Sequence, residues 1–208
     1  MLLLFHVGDA ALALDPLSSS GVHSAVQSAI DAASAIHTLI QDRSAATLVA
    51  DFLDRRLARR AARHAAYTGS FYRTAAESFE TPFWTARAGP ALLPSPVVAL
   101  AWHQQISISP KIQLRDEPCL VANRIAVRRV VALPAAAEPV AFVEGVEIAS
   151  LFDSLSSDAT TGEIIGKWSA SLGEPSALRL FSWAWRAGVL ISKAVHSEFG
   201  SMQSTTSM

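Results

Sequence analysis

The chain has 208 residues, half of them apolar, and a formal net charge of −1. That is enough for a real core, as one domain or as a larger and a smaller unit, and it gives no global pull toward nucleic acid or acidic lipid. A single cysteine, Cys119, excludes an internal disulfide and fits a reducing, cytoplasmic setting.

The opening residues MLLLFHV are apolar throughout, do not alternate, lack a basic leader and are cut short by Gly8-Asp9. They read as a buried strand of a parallel sheet over residues 2–7, not as a signal peptide. No later stretch is apolar for long enough to span a bilayer, so no membrane is expected among the partners.

The segment that follows, GDAALALDPLSSSGVHSA, carries the densest chemistry. Gly8 at a strand end lets a ligand approach the backbone without meeting a Cβ. Asp9 is an acceptor-only side chain suited to hydroxyl donors such as those of a ribityl chain. Pro16 stiffens the loop and removes a donor. Ser19 or Ser20 can cap the helix that follows, and Gly21 lets its first turn come close to a partner. The amides of Gly21, Val22 and His23 then point outward and, with the helix dipole, attract an oxygen carrying negative charge. A flavin uses all three features: ribityl hydroxyls, a flat ring, and negative charge at N1/O2 on reduction. The three serines are not a nucleophile elbow, because no G-x-S-x-G frames them.

Val22, Val26, Ala29, Ala33, Ile36 and Ile40 recur at three- and four-residue steps and form one stripe of a helix. Gln27, Asp31, Thr38 and Gln41 fall on other faces and suit solvent. A long helical region is expected over residues 45–79, with Leu48, Phe52 and Leu57 on its apolar side and Gly69 as a bend or boundary. Its middle holds Arg55, Arg56, Arg59, Arg60 and Arg63. Without aromatic interleaving or overall basicity, this is expected to be a solvated face with Arg55 and Arg59 exposed and unpaired; a nucleic-acid groove or an acidic partner is the sharper alternative.

Pro82, Gly89, Pro90, Pro94 and Pro96 then break regular structure and mark a subdomain boundary. ISISPKIQL alternates as a short strand, and CLVANRIAVRRVVAL reads as a strand pair or ribbon. Ile148, Leu151, Phe152 and Leu155 make a helix face. Thr160 and Glu163 have capping-box spacing, Gly173 stops the helix they open, and Pro175 starts another that carries Leu178, Phe181 and Trp185. Three short helices and the strand VLIS resemble a winged-helix arrangement, with Trp168, Trp183 and Trp185 as its core. The six histidines show no metal spacing with a cysteine or carboxylate; only His23, on the first turn of the candidate flavin-facing helix, stands near the chemistry.

The segment from Val7 to about Leu39 resembles the second FAD-binding motif of flavin-dependent monooxygenases of the para-hydroxybenzoate hydroxylase type. It is most similar to the branch with flavin-dependent halogenases and the flavoproteins that mature quinohemoprotein amine dehydrogenases. GDAA, DPLSSSGVHSA and the Ala-rich helix carry the match, and RRAARHAAYTGSFYR and FWTARA carry it more loosely. The resemblance implies FAD as cofactor, with Asp9 on the ribityl chain, Pro16 by the ring and Gly21-Val22 at the pyrimidine edge; Gly8 and Ser20 complete the candidate cofactor set. The family opens with a strand, G-x-G-x-x-G and a helix, and this sequence contains no G-x-G. The chain therefore resembles the C-terminal portion of such a flavoprotein, whose other wall lies in an N-terminal half missing or supplied by a separate chain. Halogenases of the branch carry a phenylalanine three residues before the motif's proline, where this sequence has Ala13. Their catalytic lysine lies in the half that this sequence lacks. Ala13 favours a monooxygenase or generic oxidoreductase over a halogenase, and the lysine decides nothing here.

The expected fold class is α+β and mostly helical: the C-terminal part of an FAD/NAD(P)-binding α/β flavoprotein followed by a small winged-helix-like unit. Residues 1–90 are expected to hold the motif and the long helical region, 91–137 a Pro-rich connection and strands, 138–197 the small unit, and 198–208 a disordered tail. The alternatives are a halogenase fragment and a noncatalytic chain that docks a partner; nucleic acid is not an expected partner.

Overall fold

The computed structural model describes residues 4–79, 81–90, 101–132, 138–155 and 159–193. Expectations for residues 2–3, Pro94, Pro96, His196 and the tail over 198–208 lie outside them. The chain separates into two compact units. Unit 1 comprises Met1–Pro94, Asp116–Arg128 and Ala136–Glu138, and unit 2 comprises Ser95–Arg115, Arg129–Ala135 and Pro139–Met208.

Unit 1 is built on two helices, α1 (Gly21–Gln41) and α2 (Ala46–Ser78). Between them Asp42 turns the chain in extended conformation, its carboxylate accepting from the Ser44 amide at 2.9 Å. Ala35, Val49, Phe52 and Ile125 form the buried centre, with Phe5, Leu39, Leu48 and Leu53 packed around them. Gly69 does not bend α2, which runs unbroken through it. Instead a Cβ there would lie 2.8 Å from the Gly89 Cα, and the Gly89 amide donates to the Gly69 carbonyl at 2.9 Å. That contact brings the segment after α3 (Pro82–Thr85) against α2.

The orientation of α1 reverses the sequence expectation. Its buried residues are Ser24, Ser28, Asp31, Ala32, Ser34, Ala35 and Thr38. The apolar stripe is on the outside, with Val22 81% exposed, Ile40 75%, and Val26, Ile30 and Ile36 exposed as well. Polar side chains can face inward where they find partners, as Ser28, Thr38 and Asp31 do. The Ser28 hydroxyl donates to the Ala25 carbonyl at 2.8 Å, and the Thr38 hydroxyl donates to the Ser34 carbonyl at 2.7 Å while accepting from the Ile125 amide at 2.9 Å. Asp31 is only 3% exposed. Fully covering each Val or Ile of the outer stripe stabilises by about 1.5–3 kcal/mol.

The arginine face is also corrected. Arg60 and Arg56 hold Asp31 at 2.8 and 3.3 Å; Arg63 meets Glu138 at 2.6 Å, and Arg56 pairs with that carboxylate too. Arg59 pairs with Glu117, which is 2% exposed, at 2.5 Å. Arg55 pairs with Asp51 at 2.7 Å and lies 3.9 Å from Glu117. Expected exposed and unpaired, Arg55 and Arg59 both have carboxylate partners, and Arg59 is largely covered. A carboxylate removed from water needs a guanidinium at contact distance, and this face provides several.

Residues 4–7 do not form the expected strand. Val7 is extended, but no residue of the segment pairs with a sheet neighbour, and Leu4 and Val7 are exposed. A strand exists through its ladder, and these residues have none.

The ribbon β2 (Gln113–Val121) and β3 (Arg124–Ala132) contributes residues to each unit. In unit 2, β1 (Ile106–Ile108) pairs antiparallel with β6 (Leu190–Ser192), and β4 (Phe142–Val143) with β5 (Val146–Glu147). Helices α4 (Ala149–Asp153), α5 (Thr161–Leu172) and α6 (Glu174–Arg186) enclose a core of Ile148, Phe152, Ile164, Trp168, Leu180 and Phe181. The capping box forms as its spacing predicts: the Thr160 hydroxyl accepts from the Glu163 amide and the Glu163 carboxylate accepts from the Thr160 amide at 2.7 Å. Gly173, at φ +80°, separates α5 from α6. The fold mixes helix and sheet, and among the described residues no helix is long and apolar enough to cross a membrane.

Candidate functional site

The GDAALALDPLSSSG loop is fastened at both ends to α1 and in its middle to α2. At its start Gly8, at φ +59°, opens a short 3-10 turn Gly8–Ala10 and donates its amide to the Ser28 hydroxyl at 2.8 Å. An added Cβ there would meet the Ala25 Cβ at 3.5 Å, so the glycine is required by its backbone angle more than by space. Asp9, in the same turn, is exposed.

Asp15 organises the second turn, Pro16–Ser18. Its carboxylate accepts from the Leu17 amide at 2.9 Å through one oxygen and from the Tyr72 hydroxyl at 2.6 Å through the other. The Tyr72 bond, then the Leu17 amide, holds this carboxyl below its ordinary range, and the same bond raises the Tyr72 hydroxyl. The Asp15 amide donates to His64 Nε2 at 2.9 Å, and Ser18 Oγ lies 3.3 Å from His64 Nδ1. Ser19 follows at φ +51°, a left-handed angle that a serine holds only where its surroundings fix it.

Ser20 occupies the position before α1 but makes no side-chain cap to it; its hydroxyl is paired with that of Ser18. The Ser24 amide bonds back to the Ser20 carbonyl. The amides of Gly21, Val22 and His23 therefore precede the first intrahelical bond, without a capping side chain from Ser20. Gly21 has nothing within 4 Å of where a Cβ would stand, and Pro16, Gly21 and Val22 are exposed. Of the six sequence candidates, Ser20, Gly21 and Val22 lie at the start of α1 with Pro16 in the turn before it, while Gly8 sits about two turns along the helix, where Ser28 holds it, and Asp9 follows in the same turn as Gly8. A cavity of about 160 Å³ opens beneath residues 4–6, lined by Ala32, Leu53 and Arg60 among others; none of the six candidates lines it.

His64 and Tyr72 were not among the candidates, because nothing about their spacing in a long helix marks them. They lie 49 and 57 residues beyond Asp15, and only the fold brings them to it.

No protein-family model matches the chain. It is 39% identical over 83 residues to the tryptophan 2-halogenase of Chondromyces crocatus, a match covering 40% of this chain and 16% of that protein. Two solved structures share its fold. The peptidyl tryptophan dihydroxylase QhpG, essential for tryptophylquinone cofactor biogenesis, superposes with a TM-score of 0.64 at 26% identity over 88% of this chain and 40% of its own. CmlS, a flavin-dependent halogenase, superposes with a TM-score of 0.62 at 18% identity over 89% of this chain and 44% of its own. The chain thus spans less than half the length of each of these proteins, and it is similar to flavin-dependent halogenase-like proteins in part of its sequence and in fold over most of its length.

Proposed function

We propose that this chain forms the flavin-ring side of an FAD site in a monooxygenase-type oxidoreductase. The observation that carries this reading is the uncapped, exposed start of α1, set directly after a proline turn that Tyr72 and His64 hold in place. A helix start without its cap is suited to an anionic edge, and the exposed Pro16 offers a rigid apolar surface. In this reading Asp9 accepts from ribityl hydroxyls, Pro16 flanks the ring, Gly21 and Val22 donate backbone amides to its pyrimidine edge, and Gly8 and Ser20 keep the backbone close. FAD, when bound, supplies two-electron redox chemistry. The chain's own part is to orient the ring and favour its reduced, negatively charged form.

The other wall of the site is an α/β half carrying G-x-G-x-x-G, in the same polypeptide or a separate chain. Three observations support this: the absence of G-x-G from the sequence, the partial coverage of the similar structures, and the outward apolar stripe of α1. Over its 21 residues α1 carries a single carboxylate, Asp31, and no lysine or arginine, and Asp31 faces inward. An uncharged outer face of Val, Ile and Ala suits a sheet better than water. Residues 4–7 would gain their ladder from the same sheet. Helices α4–α6 and strand β6 support the winged-helix-like reading of residues 138–197.

A second reading, a flavin-dependent halogenase, is favoured by the identity to tryptophan 2-halogenase and opposed by Ala13. The site assignment is tested by Asp9→Ala in the chain assembled with an α/β half. FAD affinity should fall by about one to two powers of ten, the loss of one hydrogen bond to a charged group. An unchanged affinity contradicts the role given to Asp9.

A further inference from the structure

We propose that His64 is a positioning residue for the loop over 15–20: its neutral ring fastens the backbone of Asp15, and protonation of the ring releases it. The proposal rests on the flavin reading for the loop's purpose, and on this chain's own contacts for its geometry.

The Asp15 amide is a donor, so His64 Nε2 at 2.9 Å must present a lone pair to it. The ring proton of the neutral form is then on Nδ1, which donates to Ser18 Oγ at 3.3 Å. Ser18 is left to donate onward, to the Ser20 hydroxyl or to the Asp15 carbonyl at 3.4 Å. A chain of hydrogen bonds therefore runs from α2 through the loop to the residue before α1. Because Ser18 Oγ accepts a hydrogen bond from the ring N–H, His64 does not act on it as a base.

The same loop contains Ser19 in the left-handed region, a conformation that persists only where neighbours over-determine it. His64 holds the backbone and Tyr72, two turns further along α2, holds the Asp15 carboxylate. Protonation converts Nε2 from acceptor to donor and sets it against the Asp15 amide. The charged and titratable groups around this contact are the Asp15 carboxylate on the loop, Tyr72 on α2 and Arg87 beyond α3. Arg60, one turn before His64, is taken up by Asp31. The partner that suits an imidazolium is the Asp15 carboxylate, already occupied by Tyr72 and Leu17, so reaching it takes the ring off the backbone. The loop thus has an anchored and a released arrangement, selected by one proton.

The test is amide hydrogen exchange at Asp15, read by NMR on the full chain between about pH 5 and 8, where histidines change charge. Values are corrected for intrinsic exchange and compared with His64→Gln and His64→Leu. A glutamine oxygen can accept from the same amide and does not titrate. In the native chain, protection of the Asp15 amide should fall about tenfold on acidification, the factor carried by one ordinary hydrogen bond. His64→Gln should keep protection at both ends of the range, and His64→Leu should lose it at both. If the leucine variant does not fold, the native chain and the glutamine variant carry the test. Protection that does not respond to pH in the native chain, or that remains acid-sensitive in His64→Gln, overturns the proposal. No flavin is present in this measurement, so its failure leaves the flavin reading standing, and a failure to bind flavin leaves this proposal standing.

Discussion

Asp31 on α1 and Arg60 on α2 meet at 2.8 Å, with Arg56 3.3 Å from the other carboxylate oxygen, and this contact decides which way α1 faces. Asp31 lies nine positions from both Val22 and Ile40, half a turn around the helix at about 100° per residue. Burying the carboxylate against α2 turns Val22 and Ile40 outward.

Asp31→Ala leaves two largely covered guanidinium groups without this carboxylate. Breaking a buried pair from one side costs about 3–5 kcal/mol. Urea unfolding of unit 1 should show that loss; a change under about 1 kcal/mol contradicts the arrangement.

Arg55 and Arg59 are one turn apart and should behave differently. Arg55 is exposed and pairs chiefly with the half-buried Asp51, so Arg55→Gln should change stability by less than about 0.5 kcal/mol. Arg59→Gln takes the nearest guanidinium from Glu117, a carboxylate almost wholly removed from water, and should cost about 3 kcal/mol. Equal effects in the two variants contradict the account.

Helices α1, α2 and α4–α6 were legible in the sequence, as was the capping box of Thr160 and Glu163, because each follows from local periodicity and turn residues; the expected serine cap on α1 does not form, and α3 was hidden because Pro82 reads as a breaker. The buried face of α1 was not. Periodicity shows that a helix has two faces, and the Asp31 partners that choose between them lie 25 and 29 residues away. The arginine face was misread for the same reason, since Glu117 and Glu138 come from distant segments. Residues 4–7 have the composition of a strand, but composition does not supply a neighbouring strand. The turn at Pro16 and the helix start at Gly21 were visible in the sequence, while the loop's anchors His64 and Tyr72 were visible only in the fold.

Tyr72→Phe should raise the Asp15 carboxyl toward its ordinary value, because the Tyr72 hydroxyl is the largest cause of its lowering. The native carboxyl is depressed, so its ionised form contributes stability above the unfolded value of about 3.9 and loses it as pH falls through the lower folded value. In Tyr72→Phe the contribution should be smaller and its loss complete at higher pH. A side-chain carboxyl NMR titration reads it directly; an Asp15 titration unchanged by the substitution contradicts the bond.

The central claim is that the chain holds one side of an FAD site and that an α/β half holds the other. The most direct measurement is fluorescence titration of FAD against the chain alone and against the chain assembled with a half that carries G-x-G-x-x-G. Each charge-assisted bond to the pyrophosphate contributes about 1.5–3 kcal/mol. Losing two of them weakens binding by about two to four powers of ten. The account predicts binding at least about a hundredfold weaker to the chain alone, with tight binding appearing on assembly. Tight, stoichiometric FAD on the chain alone contradicts it.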